Sequence, residues 1–423
     1  MLNLHTSPLG TCGASSLSRP SCLSKVATGK VVHLPKLAIV SWYGVGARDA
    51  GERVRLEGLT SEFARTFDVT WFVLDSREDP WTEADVRFPP PDVGVPYRMP
   101  RSAYLSATAR RMAIEHYYPA GKKSLRAWVT DELSALDPDV ILANQPFAWA
   151  TIPDRLLSRT VLDTHNVNSA RLKRIAGSLG HRWPERALLA RQVQLTERFE
   201  HRYVEASAST WVVSDEDKDA LPRSSTVRVV PNGTTLLDLE RSFLGEHESP
   251  RLLFLGSLGY SANIDALRRL SRAAQASTND FRVTVAGSGP ESEARELCAR
   301  DPRFDFVGRV PDARAAMADH HALVAPHMQG GGSRIKVLEA MGTRVPVVAT
   351  RVAAEGIGAS PGVHYMEIEG DDWIERAIRS LRDPLLVGEM VNSAWALAAA
   401  SEWRQLSIEA CFELEDIARA RRE

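Results

Sequence analysis

Cysteine is scarce in this chain: Cys12, Cys22, Cys298 and Cys411 are the only four in 423 residues. They form no CxxC pair and share no His/Cys metal spacing, which excludes a disulfide scaffold and a zinc module and fits a reducing cytoplasm. No apolar run approaches the ~20 residues of a membrane helix. Net charge is nearly absent, with 52 Lys and Arg against 54 Asp and Glu. No basic stripe with interleaved aromatics appears, so a nucleic-acid partner is not expected. Residues 1–30 contain no acid, are rich in Ser, Thr and Gly, and lack a secretory core; they read as a disordered leader.

What remains is an ordinary globular composition, 44% hydrophobic and 25% charged, on a chain long enough for two cores. Short apolar runs alternate with helical periodicity. Strands are expected at 36–42, 69–74, 140–143, 159–163, 210–213 and 227–230, with a Pro-rich loop at 79–101 and a helical stretch over 104–136. From 251 the pattern restarts, with strands at 251–255, 281–286, 304–307, 322–325 and 345–349. Buried parallel strands read as such unbroken apolar runs, so the expected fold class is α/β, two Rossmann-like doubly wound domains facing across a cleft. The expected bounds are 31–238 and 250–395, with a terminal helix at 399–423 packing back on the first domain. Ligands of such sheets bind at the carboxyl ends of the strands.

The densest chemistry lies in Gln329-Gly-Gly-Gly-Ser-Arg-Ile-Lys-Val-Leu-Glu-Ala-Met-Gly342. Gly330, Gly331 and Gly332 let backbone approach a ligand closely, and the helix behind them offers free N–H groups to an anion. Ser333 belongs to the same turn, Arg334 and Lys336 add cations, and Glu339 can accept two sugar hydroxyls. A flexible loop before a surface helix is the plainer alternative. Val285-Ala-Gly287-Ser-Gly289-Pro290 lacks the third glycine and the acid of a dinucleotide fingerprint and reads as a turn. His320-His321 reads as a surface pair at a helix end. Arg110-Arg111 and Lys122-Lys123 admit peripheral contact with anionic lipid, a solvated helix face being the simpler reading.

The run Gly330-Gly331-Gly332, Lys336, Leu338-Glu339-Ala340-Met341, then Val345-Pro346-Val347-Val348 and Ala354-Glu355-Gly356-Ile357, resembles the retaining GT-B glycosyltransferases often called family 4. Asp163-Thr-His165-Asn166-Val167 resembles that family's Asp-x-His-Asn segment, Phe254-Leu-Gly256-Ser257 its second-domain turn, and Gly51-Glu-Arg-Val-Arg55 its first-domain loop near the donor phosphates. The resemblance implies transfer of a sugar from a nucleotide diphosphate donor, with retention, to a small-molecule, glycan or lipid-linked acceptor. No metal and no cofactor are expected, since no acidic pair accompanies the phosphate loop. It places His165 at the reacting sugar, Glu339 on the ribose, and Gly51, Arg55 and Gly256 near the phosphates. A core histidine and a solvated arginine are the bland readings of His165 and Arg55. Two departures stand out: Gly331 occupies the position where many relatives carry a Glu, and Ser257 and Asn263 stand where many carry Arg and Lys. A sugar-nucleotide epimerase of the same fold, a phosphorylase, and a non-catalytic glycan-binding protein are the rival readings.

Overall fold

The computed structural model describes residues 26–27, 30–31, 33–43, 51–75, 86–90, 92–94, 101–118, 122–178, 183–237, 244–245, 248–328 and 335–423. The leader falls largely outside them. A short antiparallel pair, β1 (Val26–Ala27) and β2 (Lys30–Val31), belongs to a unit of its own spanning Met1–Leu34. The unit Pro35–Glu423 carries everything that follows.

Its strands build two sheets, every pairing parallel. The first sheet comprises β3 (Lys36–Ser41), β4 (Asp68–Val73), β5 (Val86–Arg87), β6 (Val140–Asn144), β7 (Thr160–Asp163), β8 (Ser209–Val212) and β9 (Val227–Val229), in the order β5-β4-β3-β6-β7-β8-β9. The second holds β10 (Arg251–Leu255), β11 (Arg282–Ala286), β12 (Phe304–Gly308), β13 (Ala322–Ala325), β14 (Val347–Ala349) and β15 (Met366–Glu367), ordered β12-β11-β10-β13-β14-β15. Order reverses between β3 and β6 in one sheet and between β10 and β13 in the other, the switch points where doubly wound sheets open a crevice. The central strands β6, β7, β8 and β13 are buried along their whole length, as helix-covered parallel strands must be.

The expected helix over 104–136 is broken into Arg101–Ala109, Ile114–Tyr117 and Lys123–Leu136. Arg111 takes a left-handed φ of 54°, which no helix continues. The helix Pro384–Ala399, not expected from the sequence, is capped by Asp383, whose carboxylate accepts from the amides of Leu385 and Leu386.

The terminal helix Trp403–Arg422 packs on the first sheet's layer: Trp403, Leu406, Ala410, Leu414 and Ala418 are buried in the same core as β3, β6 and β7. Trp211 Nε1 donates to Glu413 Oε2 at 3.1 Å, and Arg421 and Arg422 hold Asp137 and Asp139. Two crossings of the chain are stitched together. Thr234 N donates to Ser401 O and Trp403 N to Thr234 O, each at 2.9 Å. Gly233 and Gly58 both abut Trp403 so closely that a Cβ on either would overlap the indole.

The two sheets meet through helices that start at strand carboxyl ends. Helix Gly51–Leu59 touches helix Ile335–Gly342, and Ile335 is buried in the first core while Val337, Ala340 and Met341 belong to the second.

Candidate functional site

On the first sheet, the side chains at the carboxyl ends of β3, β6 and β7 converge. Asp163 closes β7 and is fully buried. Arg55 is buried too and spends every guanidinium nitrogen inside the protein. Its Nη2 donates to Asp163 Oδ1 at 2.6 Å and Nε to the same carboxylate at 3.1 and 3.2 Å. Nη1 donates to the Pro231 carbonyl at 3.0 Å and to Asn232 Oδ1 at 3.2 Å. Arg55 is thus neither a solvated helix residue nor open toward a ligand; it clamps β7 to the turn that ends the first sheet. Burial by itself would raise the Asp163 pKa. The Arg55 charge and the His165 hydrogen bond outweigh it and hold the carboxyl well below the ordinary range.

A carboxylate so held is an acceptor only. His165 Nε2 lies 3.0 Å from Asn144 Nδ2 and 3.2 Å from Asp163 Oδ2. Asn144 Nδ2 converges on the same oxygen at 3.4 Å, and Ser41 Oγ donates to Asn144 Oδ1 at 3.4 Å. Gln145 Nε2 lies 3.4 Å from His165 Nδ1. Gln145 Nε2 also donates to the Tyr43 hydroxyl at 3.2 Å, which donates to Glu52 Oε2 at 3.4 Å beside Gly51, the first residue of its helix. Gln145 adopts φ 74° and ψ 154°, a setting otherwise nearly restricted to glycine and costing about 1–3 kcal/mol.

The helix after His165, Asn168–Ser178, receives Glu200 at its start: Ser169 N donates to Glu200 Oε1 at 3.0 Å. Burial, with nearby Glu115 and Glu197, pushes the Glu200 pKa up to about 7 against the bonds from Ser169. Burial raises that of Glu115 as well. An acid whose folded pKa is raised binds its proton more tightly when folded. The stability that Glu200 contributes is therefore fullest below about pH 4.5 and declines as pH rises toward 7. Glu200→Gln keeps an oxygen for Ser169 and removes the charge. Urea unfolding from pH 4.5 to 8 is expected to show a shallower decline for the variant, worth up to about 3 kcal/mol at pH 8; parallel curves would refute the assignment.

On the second sheet, β10 runs into Gly256, where a Cβ would fall 2.7 Å from the Asn263 carboxamide. Gly287 lies so close that its Cβ would overlap the Gly256 carbonyl, and Leu258 N donates to Ser288 O at 2.7 Å. The glycines of 285–290 thus serve backbone packing. Asn263 Nδ2 donates to Ser257 O at 2.8 Å, which turns Oδ1 toward Lys336 Nζ at 3.2 Å and His327 Nε2 at 2.8 Å. Lys336 Nζ also donates to Leu255 O at 2.9 Å, at the very end of β10. Burial lowers the Lys336 pKa to about 8. Burial and the Lys336 charge lower that of His327 to about 2, so its ring, stacked on Phe254, stays neutral. Glu339 is buried in the same helix. Gly330, Gly331, Gly332, Ser333 and Arg334 lie outside the described residues.

The structure therefore brings His165 and Arg55 into one network through Asp163, and the Gly256 turn and Lys336 into another; Gly51 only precedes Glu52, the outermost member of the first. Asn144, Gln145, Tyr43 and His327 join them without having been singled out in the sequence. All four sit at or just beyond a strand's carboxyl end, the signal that marks them. His320 and His321 are not a surface pair. His321 is buried and its Nδ1 accepts from Arg251 N, while His320 bonds Thr284 and the Ala316 carbonyl. Lys122 donates to the carbonyls of Asp92 and Gly94. Among the described residues, no helix is long and apolar enough to cross a membrane.

Residues 249–383, covering β10 through the helix Trp373–Leu381, match the family model of glycosyl transferases group 1. A phosphatidyl-myo-inositol mannosyltransferase of Mycobacterium leprae is 24% identical, over 62% of this chain and 68% of that one. Sucrose-phosphate synthase from Thermosynechococcus elongatus superposes with a TM-score of 0.67 at 15% identity, covering 91% of this chain and all of the other. The HepE protein of Anabaena, solved with UDP and glucose, gives 0.60 at 12% identity over 90% of this chain and all of its own. With these neighbours, the two Rossmann-like domains constitute a GT-B fold.

Proposed function

We propose that this chain is a glycosyltransferase that moves a hexosyl group from a nucleoside diphosphate donor to an acceptor, with retention and without a metal. The observation that carries this reading is the Lys336 ammonium, held by Leu255 O and Asn263 at the mouth of the Gly256 turn. The sequence lacks the expected cations immediately after Gly256, and Lys336 brings one there from the opposite helix. The match over 249–383 and the mannosyltransferase relative support the same class.

In this reading the second sheet holds the donor. Glu339 takes the ribose hydroxyls, and Gly330–Gly332 with Ser333 present backbone to the diphosphate. Charge developing on the leaving diphosphate is met by Lys336, Arg334 and the amides opening the helix Ile335–Gly342. His165, held rigid by Asp163, faces the transferred sugar, and the first sheet receives the acceptor. Arg55 acts through Asp163 rather than on phosphate.

A thermal-shift screen of nucleoside diphosphates and their sugar conjugates tests this. The cognate nucleotide at about 100 times its Kd is expected to stabilise by about 2.7 kcal/mol. Release of nucleoside diphosphate from the cognate sugar nucleotide should persist in excess chelator. Failure of every nucleotide to raise Tm would overturn the reading.

A further inference from the structure

A cation withdrawn from water ordinarily faces a carboxylate, because a lone charge there is costly. Lys336 faces none among the described residues. Its ammonium meets the Leu255 carbonyl at 2.9 Å, Asn263 Oδ1 at 3.2 Å and His327 Nε2 at 3.4 Å, and all three groups are uncharged. Asn263 is buried, and its carboxamide is oriented from both ends. Nδ2 donates to the Ser257 carbonyl at 2.8 Å, an obligate acceptor, so that Oδ1 is the atom turned to the ammonium, an obligate donor. His327 Nε2 lies 2.8 Å from the same Oδ1. Gly256 lies so close over the carboxamide that a Cβ there would fall 2.7 Å from its carbon and 2.9 Å from its nitrogen and oxygen. The amide is therefore fixed by backbone, and it fixes Lys336 in turn.

We propose that Asn263 is a positioning residue of the donor site: its carboxamide pins the Lys336 ammonium at the end of β10 without cancelling its charge, so that the counter-charge is left for a ligand's diphosphate to supply. An aspartate of the same size would hold the ammonium equally well but neutralise it. A leucine of the same size would leave the charge and release the ammonium. Only the neutral amide holds the cation and keeps it available. The pinning follows from the geometry alone; the diphosphate as counter-ion rests on the reading of the second sheet as the donor site.

The test uses the full chain labelled with 13C at the lysine side chains and read without ligand, the Lys336 signal being identified by its loss in Lys336→Met. The wild-type signal is expected to titrate at about pH 8. In Asn263→Asp it should titrate at or above the ordinary lysine value of about 10.4, because a carboxylate beside it favours the charged form. In Asn263→Leu it should titrate below the wild type, because the ammonium loses an acceptor. Inorganic pyrophosphate and UDP are then titrated calorimetrically into each protein at pH 7. Asn263→Asp should weaken both by about ten- to a hundredfold, and Asn263→Leu should weaken them less. A Lys336 titration unmoved by either variant would overturn the pinning, and each variant decides that point by itself if the other fails to fold. A raised titration in Asn263→Asp with wild-type affinity for both probes would overturn the need for a neutral amide. Failure of both probes to bind the wild type would overturn the diphosphate as counter-ion and the donor-site reading with it, while the titration still decides the pinning.

Discussion

Replacing Arg55 with methionine is expected to destabilise the protein by about 3–5 kcal/mol, because the fully buried Asp163 carboxylate is left without its counter-charge. Methionine fills much of the volume, so the loss is electrostatic rather than a cavity. The double variant Arg55→Met/Asp163→Asn should recover most of it, since an uncharged pair of similar size carries no stranded charge. The pH dependence has a definite sign. The folded pKa of Asp163 is depressed, so its stabilisation is present above the unfolded value near 3.9 and is lost as pH falls further. Without Arg55, burial acts on Asp163 with less to oppose it and raises its pKa, so the deficit of Arg55→Met should be largest near pH 8 and shrink as pH falls to about 5 and the stranded carboxyl takes up a proton. Urea midpoints across that range decide it, and a variant with the wild-type midpoint at pH 7 would show the clamp to be dispensable.

That Arg55 is a clamp could not be read along the chain. Four positions into a helix, an arginine looks solvated; it is buried because Asp163, 108 residues later, arrives at the end of a strand two places away in the same sheet. Partnerships across a parallel sheet have no local signature. The strands themselves were legible, since helix-covered parallel strands are apolar throughout and nearly all lie within two residues of their expected bounds. The short edge strands β5 and β15, two residues each, carry no pattern to detect. The break in 104–136 did have a signal: Pro119 and Gly121 punctuate it. So did the helix Pro384–Ala399, through Asp383-Pro384. At the site, the glycine-rich run marked itself by type and spacing. Asn144, Gln145 and His327 did not, because a lone amide or imidazole after an apolar strand is chemically silent until its neighbours are known. Gln145 is the sharper case, as its unusual φ contradicts what its residue type suggests.

The second large effect belongs to Lys336. Lys336→Met should weaken the cognate nucleoside diphosphate by about ten- to a hundredfold, the value of one charge-assisted hydrogen bond of roughly 1.5–3 kcal/mol. Turnover should fall further, because charge on the diphosphate grows as the sugar leaves. The lysine supplies its own control through pH. Burial lowers its folded pKa to about 8, below the unfolded value near 10.4, so the folded state holds this proton less tightly. Stability contributed by this group consequently rises as pH climbs from 8 toward 10, a rise that Lys336→Met should lack. Affinity runs the other way: with the ammonium neutralised, the wild type should bind nucleoside diphosphate progressively more weakly above pH 8, while the variant stays weak and flat. Lys336→Arg keeps a charge but cannot easily meet Leu255 O and Asn263 Oδ1 as a point donor does, and should recover affinity only in part. Calorimetric titration of the three proteins with nucleoside diphosphate at pH 7 and pH 9 separates the possibilities. Equal affinity in all three at both pH values would remove Lys336, and with it the Gly256 turn, from the donor site.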